Sequence, residues 1–299
     1  MKESTRNIFK MHGWRVDRAA HNWLYFVFYG LYVRVFLWAG HLVHSILGRV
    51  SLGSWLFGMV FDRYHAKVVT MDDAVKILTL NEDIIIGPDR TERIIPFPYA
   101  NNIILKEPDF IAVMDCPCRL AREDGCKPVN VCMAVGRTTA QFWLEHGQKY
   151  HARKISQEEA LTILREAHDR GNITTSWFKV ATGGRTGVIC ACCTCCCGGL
   201  EGMRLVKKFK GGEELSNMIS SGYVATVDAQ MCKACGLCAR TCFFEAARMD
   251  GRGGLVQDRA ACMGCGLCVE RCPEGARKLE ADPSKGLPLD IDLIRNELG

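Results

Sequence analysis

The chain has 299 residues, 18 of them cysteine, and a formal net charge of +5 from 38 basic and 33 acidic side chains. Its 48% hydrophobic and 24% charged content excludes a disordered chain, and its length suggests about two domains. Cysteine is too sparse for a disulfide scaffold and too abundant for an ordinary cytosolic enzyme.

The charge is unevenly placed. Residues 1–65 hold eight basic side chains (Lys2, Arg6, Lys10, Arg15, Arg18, Arg34, Arg49, Arg63) against three acidic ones (Glu3, Asp17, Asp62), which is the whole +5. The rest of the chain sums to zero, so no basic body is available to nucleic acid. Residues 22–61 are crowded with Trp, Tyr, Phe, Leu and Val, without the small-residue cleavage site of a signal peptide. Trp23 to Val43 has the roughly 20-residue length of a membrane span, but Arg34 interrupts it and His41 follows within the stretch. At helical spacing Arg34, His41, Ser45 and Gly48 share one face. Trp23, Leu24, Phe26, Phe28, Leu31, Tyr32, Val35, Phe36 and Leu42 cover the other. The pattern predicts an amphipathic helical segment over 1–65 that meets the cytoplasmic membrane surface or a membrane-bound partner. A helix covering this protein's own core and a true span are the competing readings.

The cysteines begin at Cys116. A strand over Phe110–Met114 leads into Cys116-Pro-Cys118, with Cys126 and Cys132 following. A helix is expected over Thr138–Tyr150. A second follows the capping box of Ser156 and Glu159, with Ile155 stapling on Ala160. It buries Ala160, Ile163, Leu164 and Ala167 and stops at Gly171. A strand over Gly187–Ile189 then opens the run Cys190, Cys192, Cys193, Cys195, Cys196, Cys197. Ten middle cysteines supply the eight ligands of two cubanes with two to spare, and the expected ligands are Cys116, Cys118, Cys126, Cys132, Cys190, Cys192, Cys193 and Cys196. A redox dithiol (Cys116 with Cys118, or Cys192 with Cys193) and structural zinc remain alternatives. No dinucleotide or Walker fingerprint is present; Gly183–Gly187 reads as a hairpin turn. His12, His21, His65, His146, His151 and His168 are scattered.

The strongest signal is a repeat. Residues 232–242 and 262–272 both read C-x2-C-x2-C-x3-C. Three thiolates at i, i+3 and i+6 wrap one cubane, while the fourth points to the other cluster. Gly236 and Gly266 let backbone N–H groups approach inorganic sulfide. A short strand Tyr223–Val227 precedes the first motif, and a polar turn over Arg248–Gly254 leads to a return strand at Leu255-Val256.

Residues about 222–280 thus resemble a bacterial-type two-[4Fe-4S] ferredoxin module. The resemblance implies one cluster on Cys232, Cys235, Cys238 and Cys272 and another on Cys262, Cys265, Cys268 and Cys242. Phe243 stands where that family has proline, which alters a turn and no ligand. Together with the middle cysteines, residues about 110–280 resemble a family of 4Fe-4S-binding proteins of anaerobic microbes. The expected architecture is α+β. An N-terminal amphipathic helical segment (1–65) is followed by a small mixed cysteine-rich domain (66–215), a ferredoxin-like dicluster domain (216–282) and a tail (283–299).

The expected function is relay of single electrons through two [4Fe-4S] clusters and one or two additional Fe–S clusters. The protein would serve redox partner proteins or a larger oxidoreductase complex, on the cytoplasmic face of a membrane and without nucleic acid. An Fe–S reductase with a substrate site at a middle cluster, and a redox-sensing regulator, are the alternatives. Ligated clusters of about −2 each make the body acidic and leave the first 65 residues as a basic anchor.

Overall fold

In a computed structural model, the chain is described at residues 2, 5–7, 10, 16–61, 64–96, 103–179, 187–212 and 215–296. Two apolar helices lead, α1 (Val16–Leu47) and α2 (Ser51–Phe61), followed by strand β1 (Tyr64–Val68) and helix α3 (Met71–Leu78). A small hairpin of β2 (Ile84–Ile86) and β3 (Ile103–Leu105) brackets helix α4 (Pro88–Ile94). Strand β4 (Ile111–Asp115) runs into a single helical turn, α5 (Pro117–Leu120), then β5 (Asn130–Val135) and α6 (Arg137–His146). After them come β6 (Arg153–Ile155), α7 (Gln157–Asp169), β7 (Ile173–Lys179), β8 (Val188–Cys192), α8 (Gly198–Val206) and β9 (Met218–Ile219).

Seven of these strands form one sheet in the order β6-β4-β5-β8-β7-β1-β9, antiparallel throughout except where β9 runs parallel to β1. Hydrophobic strands buried on both faces are what such a sheet needs, and β4, β5 and β8 supply them: β8 is buried along its whole length. Helix α7 starts where the capping box places it, with Ser156 Oγ accepting from the Glu159 N–H at 3.1 Å. It buries Ala160, Leu164, Ala167 and His168, and the chain turns out of it through Gly171 at φ 88°. The expected helix over 138–150 divides at Gly147 into α6 and a short 3-10 turn, Gln148–Tyr150. The expected hairpin turn at 183–187 joins two antiparallel neighbours, β7 and β8, but residues 180–186 lie outside the described residues.

Helix α1 has two apolar faces rather than one. Tyr25, Phe26, Tyr29, Val33 and Leu37 pack into the main core, while Trp23, Leu24, Phe28, Leu31, Val35, Trp38, Leu42 and Ile46 stay exposed. The predicted polar stripe stays exposed and reaches the body at two points: Arg34 Nε donates to Ala121 O at 3.2 Å, and His41 Nε2 lies 2.8 Å from Glu201 Oε1. The helix kinks at Tyr29 (φ 23°), whose hydroxyl donates to Asp115 O at 2.8 Å and whose ring stacks on Tyr150. A second cluster, Phe57, Phe61, Leu205, Val206 and Phe209, ties α2 to α8.

The C-terminal module carries β10 (Tyr223–Val227), α9 (Leu237–Thr241), β11 (Ala247–Met249), β12 (Leu255–Gln257), α10 (Leu267–Glu270) and β13 (Arg277–Ala281). Strand β10 pairs antiparallel with β13, and β11 with β12, so each cysteine motif lies between two short strands. Residues 283–296, set apart from sequence as a tail, return to the body. Helix α11 (Ile291–Asn296) buries Ile291 and Ile294 in the main core, and Asp290 holds Lys76 Nζ at 2.9 Å. The architecture is α+β, with helices on both sides of the large sheet and the cysteine motifs at the C-terminal end.

Candidate metal centres

The repeat in the C-terminal module extends to the backbone. Ala234 and Gly264, Gly236 and Gly266, and Glu245 and Gly275 occupy equivalent places in the two motifs, and all six have positive φ. Gly264 is needed for space as well, because a Cβ there would stand 2.3 Å from Tyr223 O. Left-handed Gly236 and Gly266 cap α9 and α10, which turns each loop's N–H groups inward around its thiols. Cys232, Cys235, Cys238 and Cys272 line one cavity of about 20 Å³, together with Lys233, Leu237 and Arg277.

The second set is more buried. Cys262 packs with Val224, Ala225 and Ala246, and Cys242 and Cys268 border the same cluster. The Ala225 N–H donates to Cys262 Sγ at 3.4 Å and Arg277 Nη2 to Cys268 Sγ at 3.5 Å, so cationic and amide donors already aim at sulfur. Burial pushes the Cys265 thiol up to about 12, with the nearby sulfurs of Cys268, Cys242 and Cys262 adding to it. A metal centre must displace those protons, and it replaces an unfavourable buried thiolate with a neutralised one. Both sets present four thiols, a backbone cradle and donors to sulfur, which fits a cubane at each.

The ten middle thiols form two groups, and the sheet register is the reason. Cys132 on β5 lies directly opposite Cys190 on β8, and their sulfurs are 3.5 Å apart. Cys192, two residues on, falls on the same sheet face, as does Thr175, which is opposite Cys190 on β7. Cys116 and Cys118 reach this face from the turn after β4, and Cys197 from the N-terminus of α8. Cys190 Sγ donates to Cys132 Sγ at 3.5 Å, and the remaining thiols are neighbours in the order Cys132–Cys116–Cys118–Cys197–Cys192. The six line a chamber of about 110 Å³, roofed by Tyr25, Tyr29 and Tyr32 of α1 and walled by Trp143 and Trp177.

Contacts with neighbouring sulfurs, then burial, hold Cys116 and Cys197 well above the ordinary thiol value. Cys192 is held below it by the bonds it takes from Cys197 and then from Thr175 and Trp177. The Trp177 indole donates to Thr175 Oγ1 at 3.0 Å, and Thr175 Oγ1 lies 3.2 Å from Cys192 Sγ. Gly199 makes room for that indole: a Cβ would stand 2.3 Å from it.

The other four thiols, Cys126, Cys193, Cys195 and Cys196, lie within 4.8 Å of one another near the surface. Cys126 Sγ is 3.0 Å from Cys195 Sγ, and the Cys126 N–H donates to Cys196 Sγ at 3.4 Å. Arg119 lines the chamber with the charge of Cys193 close to it, and its guanidinium donates from Nη1 to Pro128 O and from Nη2 to Ala191 O at 3.4 Å.

Of the eight middle cysteines expected as ligands, Cys126, Cys193 and Cys196 fall in the surface group and Cys116, Cys118, Cys132, Cys190 and Cys192 in the chamber. Cys195 joins the former and Cys197 the latter, neither having been in the expected set. Cys193 gathers with the surface group while also bordering the chamber that Cys192 lines, and all 18 cysteines are free. Arg119 and the tyrosine roof were not singled out from sequence. The Cys-Pro-Cys-Arg string was the one available signal for Arg119.

Residues 231–276 match a family model described as a 4Fe-4S dicluster domain. No curated protein and no solved structure matches the chain. The C-terminal module is a ferredoxin-type unit for two [4Fe-4S] clusters, and the cysteine-rich middle region is compatible with more.

Proposed function

We infer that this protein is a membrane-associated iron–sulfur electron carrier that passes single electrons between the dicluster module and further metal centres in the middle domain. Redox partner proteins or a larger oxidoreductase complex would supply and take the electrons. The observation that carries this reading is the convergence of all ten middle cysteines into two thiol groups, beside a module that already handles electrons. The clusters supply one-electron chemistry. The chain's own residues hold sulfur, aim N–H donors at it and exclude water from the inner group.

The outer face of the two leading helices supports the membrane reading. Trp23, Trp38 and Trp55 are about 60% exposed and Ile46 is 69% exposed, forming an apolar surface unlike that of a free monomer. The opposite face of α1 packs against the body, so the helix fits an orientation along the cytoplasmic membrane interface better than a crossing of it. Basic residues nearby suit anionic headgroups.

Anaerobic purification with iron, zinc and sulfide quantitation tests the redox assignment. About eight irons confine clusters to the C-terminal module, and more than about eight place iron in the middle groups as well. Flotation with phosphatidylcholine–phosphatidylglycerol vesicles tests the membrane assignment. Trp38→Glu with Ile46→Glu is expected to abolish flotation, and unchanged flotation rejects it.

A further inference from the structure

The chamber has two thiols more than a cubane uses. One [4Fe-4S] cluster takes four cysteines, as in each half of the dicluster module, yet seven cysteines border this single cavity, six of them outside the group of Cys126, Cys193, Cys195 and Cys196. The six divide evenly: Cys116, Cys132 and Cys190 gather around the β5–β8 register pair, and Cys118, Cys192 and Cys197 around the N-terminus of α8. We propose that the chamber is a site for one iron–sulfur centre of more than four irons, held at one end by Cys116, Cys132 and Cys190 and at the other by Cys118, Cys192 and Cys197. The proposal rests on the reading that the middle thiols hold iron, and it sets the kind of centre.

Three observations carry it. The first is size: the cavity that these thiols line together with the α1 tyrosines, Trp143 and Trp177 is about 110 Å³, against about 20 Å³ at the cubane site of Cys232, Cys235, Cys238 and Cys272. The second is charge. A cubane core of about +2 on four thiolates leaves about −2 and two thiols with no metal. Two such cores sharing six thiolates come again to about −2, with every thiol ligated, so the larger centre adds no buried charge.

The third is Arg119. Its side chain is 3% exposed and lines the chamber, and its Nε is buried without a hydrogen-bond partner. A buried orphan donor calls for an acceptor. Sulfide or thiolate of an anionic centre provides one. Binding would convert each ligating thiol to a thiolate and release its proton.

The test is anaerobic reconstitution of the full-length chain with ferrous iron and sulfide, followed by native mass spectrometry and Mössbauer spectroscopy. Cys126→Ser with Cys195→Ser removes the surface group, so that iron beyond the dicluster module's eight or so belongs to the chamber. The expected result is a chamber increment above four irons, lost as a unit from Cys132→Ser with Cys190→Ser and equally from Cys192→Ser with Cys197→Ser. The reduced-state EPR of the dicluster module, retained in each variant, reports folding. An increment of four irons, or the survival of four irons after either pair is replaced, overturns the large centre while leaving the electron-carrier reading intact. No iron in either middle group overturns both this proposal and the further-centre reading. If the variants do not fold, the unaltered chain still tests the proposal: four cubanes hold about sixteen irons, so a higher count requires the large centre and about twelve or fewer overturns it.

Discussion

His168 Nε2 lies 2.5 Å from Glu270 Oε2, joining the end of α7 in the middle domain to the last residue of α10, the helix that carries Cys268. Arg271 adds a second tie, donating from Nη2 to Asp169 O at 2.8 Å. The dicluster module is therefore fastened to the large sheet through the same helix that covers the sheet's face. His168 is buried and Glu270 half exposed, so water screens one side of the contact. Glu270→Gln is expected to cost about 1 kcal/mol and to raise amide exchange at the end of α7 before it affects the global unfolding midpoint. Unchanged exchange there would show that the Arg271 tie and packing hold the module without the His168–Glu270 contact.

Crossed ligation of the two C-terminal clusters makes pairwise substitutions diagnostic. If Cys232 and Cys272 serve one cluster, replacing both with alanine removes about four irons, whereas Cys232→Ala with Cys242→Ala removes about eight. Ligation within each motif predicts the reverse pattern. Iron quantitation and reduced-state EPR on the two double variants settle which holds.

Hydrogen bonds to sulfur raise the potential of a cluster by stabilising its more negative, reduced form. Trp177 donates to Thr175 Oγ1, which lies 3.2 Å from Cys192 Sγ and would donate to that sulfur once it is a ligated thiolate. With a centre in the chamber, Thr175→Val is expected to lower its midpoint potential by roughly 40 mV, the one-electron equivalent of about 1 kcal/mol. An anaerobic redox titration followed by EPR reads this shift, and the potentials of the dicluster module, outside this contact, should not move.

Lys67 is fully buried in β1, where its Nζ donates to Ile94 O and Ser220 O, both at 3.0 Å. Burial lowers its pKa from 10.5 to about 7. Between these values the unfolded chain binds the proton and the folded chain does not, so stability rises with pH across this window. As pH falls toward 7 that contribution is lost, with a limiting slope of about 1.4 kcal/mol per pH unit. Asp73, pushed up to about 6 by burial, titrates below the window and does not interfere. The difference in urea stability between the parent chain and Lys67→Met should therefore vary with pH above 7. A constant difference would mean that Lys67 stays charged in the folded state.

The C-terminal clusters could be read from sequence because each ligand triad is contiguous and its glycines recur at fixed offsets. Local chain geometry alone brings Cys232, Cys235 and Cys238 together, and the repeat supplies the crossing partner. The capping box of α7 and the strand before Cys116 were legible for the same reason: each depends on residues within a few positions of one another. The unusual charge distribution of residues 1–65 and the apolar length of α1 were legible too.

The middle sites were legible only as composition. Cys132 and Cys190 are 58 residues apart, and period-2 alternation tells which face of a strand a cysteine occupies but not which strand lies beside it. Only the order β4-β5-β8-β7 decides that Cys132, Cys190, Cys192 and Thr175 share one face. Helix α1 shows the same division of labour. Its sequence fixes an apolar helix with Arg34 and His41 in register, but helical periodicity cannot say whether that stripe faces water or Ala121 and Glu201. Tertiary packing brought Arg34 and His41 to the edge of the body, where both stay in contact with water, and set Tyr25 and Tyr29 over the thiols, where they cover the sheet face.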